Sequence, residues 1–375
     1  MRQEQANEEG STNFQAGRDI VNNGLTTEQL NEFQKYVDGQ VSVAVENVVN
    51  NQLETIRSDF VKFTGEANAQ AMAIAHGMLA SLLEQLARRA PQNIDSFRSF
   101  DMQHAVLNAA TSAAVVGDDE LTATLVDILV DKSGSEPRSF KGIVLSQALD
   151  VAGKLTADQV NLLTALLMIE RTIDHNSNTV EGVLRLLDSR CRPLYGKLPS
   201  SNVALQYMAY TGVGYIERSI AAFNPHLSAA GSIVNTYDAV FTKGFTEEEL
   251  SDELKQHIAH FPEADARLTR GVRKMRFPAA SSQTLDLLAR DGQLNPIYMP
   301  HHEEMKTIIS QTKADGQGFL SIADTDNPEL AEFIRQLDSI QASTFELSAV
   351  GVAVAQANWR RLLPADAPEV DMWLR

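Results

Sequence analysis

Apolar side chains recur along most of this chain at steps of three and four residues, the spacing that gathers them on one face of an α-helix. The first such run opens at Thr26, which with Gln29 forms a capping-box pair. It carries Leu30, Phe33, Val37, Val41, Val45, Val48, Leu53, Ile56, Phe60 and Phe63. The pattern resumes after Gly65 with Met72, Ile74, Met78, Leu79, Leu82, Leu83 and Leu86, and Pro91 ends it. Unbroken, residues 26–89 would span about 96 Å, but Gly39, Gly65 and Gly77 favour a break or a hairpin. A helix of that length either folds back on the body or pairs with copies of itself. Its steps are not strict heptads, which speaks against a regular coiled coil.

Shorter helices follow. One runs from near Asp101 to Val116, where Gly117 stops it, and the next from Asp118 to Lys132. A third runs from Ser139 to Val151. Thr156 with Gln159 caps a fourth, which continues through Ile169. Connections as short as residues 133–137 imply antiparallel neighbours. In the C-terminal part Thr246 precedes the acidic turn Glu247, Glu248 and Glu249, and Pro262, Pro278, Pro300 and Pro328 each stand near an expected helix start. The last helix opens near Ser348 and reaches Trp359, Arg360 and Arg361 through small residues, with Trp373 tacking the tail onto the body. The expected fold is all-α, a multi-helix bundle or short α-solenoid. A polar leader able to form a short strand and the long amphipathic helix precede it. The divisions fall at 1–24, 25–91, 92–190, 191–244 and 245–375.

Composition narrows the function. The chain of 375 residues holds 49 acidic and 32 basic side chains, a net charge of −17, which argues against nucleic-acid binding by the whole surface. One cysteine excludes a disulfide framework and a cysteine zinc site and fits a reducing cytoplasm. The most apolar stretch, 347–357, is far shorter than a membrane span. Residues 195–243 hold only Lys197, Glu217, Arg218, Asp238 and Lys243 as charges, with Tyr195, Tyr207, Tyr210, Tyr215 and Tyr237. This segment reads as buried: core in the first instance, otherwise covered by a protein partner or wrapped around a ligand.

Few residues offer chemistry. Glu253, His257 and His260 stand at i, i+4 and i+7, a spacing that on one helix could present ligands to zinc or iron, as in a metal-dependent enzyme. The bland reading is surface histidines. His301, His302, Glu303 and Glu304 form a similar group, whose acids suit a first helical turn. Cys191 lies between Arg190 and Arg192, which would favour its thiolate, with His175 or His226 as the only bases considered for it; a structural thiol is the alternative. The glycines of 210–215 fail the dinucleotide pattern because position 217 is Glu. No phosphate-loop, nucleophile-elbow or kinase motif occurs, and no cofactor is implied, so a non-enzyme is the reading. Arg267, Arg270, Arg273, Lys274 and Arg276 form a basic stripe with no acid from 266 to 285. On a helix they would bind nucleic acid or an anionic lipid surface, or dock onto acidic groups of this chain or a sister copy.

The leader adds a resemblance. Residues 10–20, with Asn13, Phe14, Gln15, Gly17, Arg18, Asp19 and Ile20, resemble an N-terminal G-(D/N)-x-S-T-N-x-Q-A-G-R-D-I segment. That segment is found in a set of bacterial proteins, many from conflict or antiphage gene neighbourhoods. Gly10 here lacks the usual Asp-Asn after it. The body is similar to one uncharacterised bacterial family with the same leader, through residues 100–107, 117–121, 129–131, 154–156 and 347–355. The resemblance brings no catalytic residue. It implies a bacterial cytoplasmic helical protein that self-associates as a homo-oligomer through the leader, a scaffold or sensor in antiphage defence.

Overall fold

The computed structural model describes residues 65–217 and 228–374, and the leader and the 26–63 run lie outside them. The structure is mostly helical, as the apolar periodicity requires. The first helices are α1 (Gly65–Arg89), α2 (Phe100–Val116), α3 (Asp119–Ser133), α4 (Phe140–Ala152) and α5 (Ala157–Glu170). Then come α6 (Val180–Cys191), α7 (Val203–Thr211), strand β1 (Gly214–Ile216) and α8 (Ala229–Thr236). The last third holds α9 (Asp252–Lys255), α10 (Ser282–Arg290), α11 (His302–Thr312), α12 (Gly316–Asp326), α13 (Pro328–Ser339), strand β2 (Phe345–Leu347) and α14 (Ala349–Leu362).

Local chemistry sets many of these boundaries. Gly117 closes α2 in the left-handed conformation, φ 68°. Ser99, Asp118, Ser139 and Ser348 each accept a hydrogen bond from a first-turn N–H of the helix they open. Thr156 and Gln159 complete a reciprocal capping box on α5.

The final helix, α14, is the axis of the main core. Every residue from Val350 to Arg360 is buried, and α5, α3 and α4 pack around it. Its start is locked to the small antiparallel pair in which Gly214 faces Leu347 and Ile216 faces Phe345. Ser348 Oγ donates to Gly212 O at 2.8 Å, and Ser348 N donates to Val213 O. A methyl group on Gly351 would lie 1.9 Å from Val213 O, so the helix can approach β1 this closely only with glycine there.

Polar residues on α14 are matched from the helices around it. Asn358 Nδ2 donates to Thr164 Oγ1 at 2.8 Å and to Asn161 Oδ1 at 3.2 Å, both on α5. Arg360 Nη1 lies 2.9 Å from both Asp127 Oδ2 and Asp131 Oδ2, one turn apart on α3. Arg89, at the end of α1, binds the same two aspartates from the other side. Burial pushes Asp127 and Asp131 up from the ordinary carboxylate range, against the pull of Arg360 and Arg89. The four side chains thus tie α1, α3 and α14 together.

A second, smaller core forms between Ala239 and Ile309. Phe245, Phe261 and Phe277 pack on one another with ring centroids 4.5–5.8 Å apart, and Leu254, Leu285, Tyr298 and Met305 surround them. Its backbone is less regular than expected. Thr246 and Glu249 do form a capping box, but on a three-residue 3₁₀ turn that ends as Leu250 becomes extended. No helix follows Pro262; residues 262–276 instead double back, with Ala264 N donating to Lys274 O and Arg276 N to Pro262 O.

Replacing Arg360 by alanine would leave two buried carboxylates facing Arg89 alone. We expect a loss of about 3–5 kcal/mol in unfolding free energy, measured by urea denaturation. A second expectation concerns Glu170 at the end of α5. Burial, with repulsion from Glu346 on β2, pushes it up to about 8 from an ordinary 4.5. The folded state therefore favours its protonated form; that contribution is complete below pH 4.5 and is lost as pH rises through about 8. Glu170→Gln should flatten the decline in stability between about pH 4.5 and pH 8.

Candidate interaction surface

The uncharged, tyrosine-rich segment does not lie wholly in the core. On α7 the inner face, Leu205 and Met208, is buried, while Val203, Tyr207 and Tyr210 at i, i+4 and i+7 form an outward stripe, 62%, 42% and 87% exposed. Tyr215 on β1 is exposed as well, whereas Tyr237 is buried. The expectation of a place in the core is thus corrected for three of the five tyrosines, Tyr207, Tyr210 and Tyr215. Uncharged residues fill 198–216 because this short helix presents a surface without ions, not because it is enclosed. Tyr207 Oη donates to Lys154 O at 3.0 Å, which fixes α7 beside the connection between α4 and α5.

Further exposed apolar residues lie on α2 and α4. Asn108 on α2 reaches Asp150 on α4 at 3.4 Å, and a Cβ on Gly153 would meet Ser112, so the two helices run alongside each other in the same direction. Phe100, stacked on His104, stands at the start of α2, and Phe140 and Ile143 stand at the start of α4; all three are exposed. Val115 and Val116 are exposed at the far end of α2. Single exposed apolar residues are common; a contiguous exposed stripe, as on α7, is the feature that distinguishes contact surfaces.

The basic stripe is dispersed. Residues 265–276 form turns and extended backbone rather than a helix, with Arg270 and Gly271 at φ 55° and 76°. Arg267 is held by Asp265 and Asp326 at 2.6 and 2.5 Å, and Arg273 by Glu263 at 2.6 Å. Arg276 is buried and donates to Asn178 O at 2.5 Å and Phe277 O at 3.1 Å, where burial draws it below the ordinary arginine range. Among the described residues, Arg270 and Lys274 alone of the five have no acidic or carbonyl partner for the side chain, and they do not share a helical face. Three of the five cations are therefore consumed by this chain itself.

The proposed ligand spacing also fails locally. Helix α9 ends at Lys255, His257 sits in the non-helical link, and His260 closes a separate 3₁₀ turn, so Glu253, His257 and His260 are not on one helical face. Among the described residues no group of three His, Cys, Asp or Glu side chains is placed to hold a metal ion. Leu254 and Phe261 on either side of the break are both buried in the second core. Glu304 is occupied in accepting from Ser251 N and Oγ, both at 2.8 Å, at the start of α9.

Cys191 is fully buried, and burial pushes its thiol up to about 12, the opposite of the expected effect of the flanking arginines. Arg190 instead lies over the Trp359 ring at 5.4 Å and Arg192 on Asp188. His175 is paired with Thr284 at 2.9 Å, and His226 lies outside the described residues. The leader residues Asn13, Phe14, Gln15, Gly17, Arg18, Asp19 and Ile20 lie outside them too.

Comparison with known proteins adds one family. A family model matches residues 42–374, and the chain belongs to that uncharacterised family. No curated protein and no solved structure matches the chain.

The environment of Cys191 predicts an inert thiol. In native protein a chromogenic disulfide reagent should label it no faster than the chain unfolds, with full labelling in denaturant.

Proposed function

We propose that this chain, as a member of that family, is a non-enzymatic helical scaffold that assembles with further copies of itself. The observation that carries the reading is the outward stripe Val203, Tyr207 and Tyr210 on α7, apolar and free of charge. Electrostatics selects the partner. Two copies of a chain with a net charge of −17 repel each other over most of their surfaces. They approach at least expense where neither presents an ion. The α7 stripe is such a place, and tyrosine suits a self-contact because its ring packs while its hydroxyl keeps a polar partner.

In this reading the leader adds to the contact through residues 13–20. The setting is the bacterial cytoplasm, in antiphage defence, which rests on the leader resemblance alone. A module for nucleic acid or anionic lipid has weaker support, since Arg267, Arg273 and Arg276 are already engaged.

Sedimentation of the intact protein tests the proposal. The wild type should sediment as an oligomer, more strongly as added salt screens the like charges. Tyr207→Glu/Tyr210→Glu should halve the mass or reduce it further without changing the thermal transition. A monomeric wild type at high concentration, or an unchanged oligomer in the double variant, would refute it.

A further inference from the structure

Helix α2 has the composition of a helix enclosed on every side. From Met102 to Gly117 the chain holds no aspartate, glutamate, lysine or arginine, and a helix without charge all round is normally covered by protein. Its inner face meets that condition. Met102, Ala105, Val106, Ala109 and Ala113 are buried, with α1, α3 and α4 packed on the helix. The outer face does not. Phe100, His104, Leu107, Thr111 and Val115 follow at steps of four, three, four and four, and so share one side. Phe100 is 72% and Val115 80% exposed; His104 and Thr111 are exposed as well, and Leu107 partly so.

The chain enters the described structure beside this face. Helices α1 and α2 are joined through the turn Pro91–Arg98 and run antiparallel, since a Cβ on Gly117, just past the end of α2, would meet Ile74 of α1 at 3.8 Å. Gly65, where α1 begins, lies nine residues before Ile74, about 14 Å further along. If the preceding apolar run reverses at Gly65 and returns beside α1, the same nine residues counted back bring Ile56 level with Gly117. The 17 residues of α2 then face residues 40–56.

Within that window the two sequences match position by position. Val41, Val45, Val48, Gln52 and Ile56 stand at steps of four, three, four and four, the same steps as on the outer face of α2. Val41 falls level with Phe100 and Ile56 with Val115, and the amide of Gln52 falls opposite the hydroxyl of Thr111. Glu46 and Glu54 are the only charges from 40 to 56, and on a helix both lie on the side away from these five positions.

We propose that residues 40–56 of the same chain cover the outer face of α2, as a helix that turns back at Gly65 and runs alongside it in the same direction. Length and register select the occupant: the segment is tethered at the right end, reaches the whole of α2, and repeats its spacing. The covering closes α2 to other proteins and leaves α7 as the open stripe. It holds whether or not the α7 contact forms.

Two measurements on the full-length protein test this, with Cys191 buried and silent. Thr111→Cys should react with a thiol reagent at least tenfold more slowly than Arg138→Cys, which stands exposed in the link before α4. Equal rates would overturn the proposal. The pairs Val41→Cys/Phe100→Cys and Ile56→Cys/Val115→Cys, mildly oxidised, should each close a disulfide within one chain, read as a faster-migrating monomer on a non-reducing denaturing gel. The mismatched pair Ile56→Cys/Phe100→Cys, about 24 Å out of register, should stay open. Phe100 and Val115 are exposed, so these variants keep the core intact, and their thermal transitions should match the wild type. Disulfides between chains would put the segment on a second copy, and open in-register pairs would leave α2 uncovered by it; either result overturns the proposal.

Discussion

The placement of one buried helix depends on a four-membered ionic joint. Arg360 could not enter the interior with α14 unless carboxylates met it there, because an unpaired guanidinium in a low-dielectric core is far more costly than any apolar residue in its place. Asp127 and Asp131 sit one turn apart on α3 and present both carboxylates on one side, and Arg89 balances them from α1. An ionic joint of this kind adds little net stability beyond what apolar packing would give, but it discriminates strongly between registers. A shift of α14 by a residue along α3 would separate Arg360 from both aspartates and Asn358 from Thr164. The joint thus fixes where α14 lies, and α14 in turn fixes β1 and β2.

Much of this architecture was legible in local sequence. The stop at Gly117 and the starts at Asp118, Ser139, Thr156 and Ser348 follow from side-chain chemistry confined to one helical turn, and tertiary packing had no reason to override it. The second core shows the opposite case. Thr246 and Glu249 make a capping box, yet the helix goes no further than a 3₁₀ turn, where Leu250 becomes extended and Ser251 opens a new short helix. Capping chemistry fixes where a helix can begin and says little about how long it lasts.

The surface was harder to read for a physical reason. A segment without charge has two homes, the core and a contact face, and the two are alike in composition. On α7 the spacing 203, 207 and 210 against 205 and 208 separates them, since both sets have helical periodicity and only one can face inward. The basic residues posed the converse problem. Clustered cations in sequence imply a positive surface only if the backbone keeps them together, and Gly271 with its left-handed neighbour Arg270 turns the chain so that Arg267 and Arg273 find separate acids.

The position of α14 in the chain also bears on biosynthesis. Thr164 donates to Ala355 O across 191 residues of sequence, so α3, α4 and α5 emerge from the ribosome long before the helix that covers them. Until α14 has been made, the groove that receives it is lined by Leu, Val and Ile side chains with nothing over them. Nascent chains with such a gap fold late and attract chaperones. Loss of residues 349–362 would therefore remove the centre of the molecule rather than trim its edge.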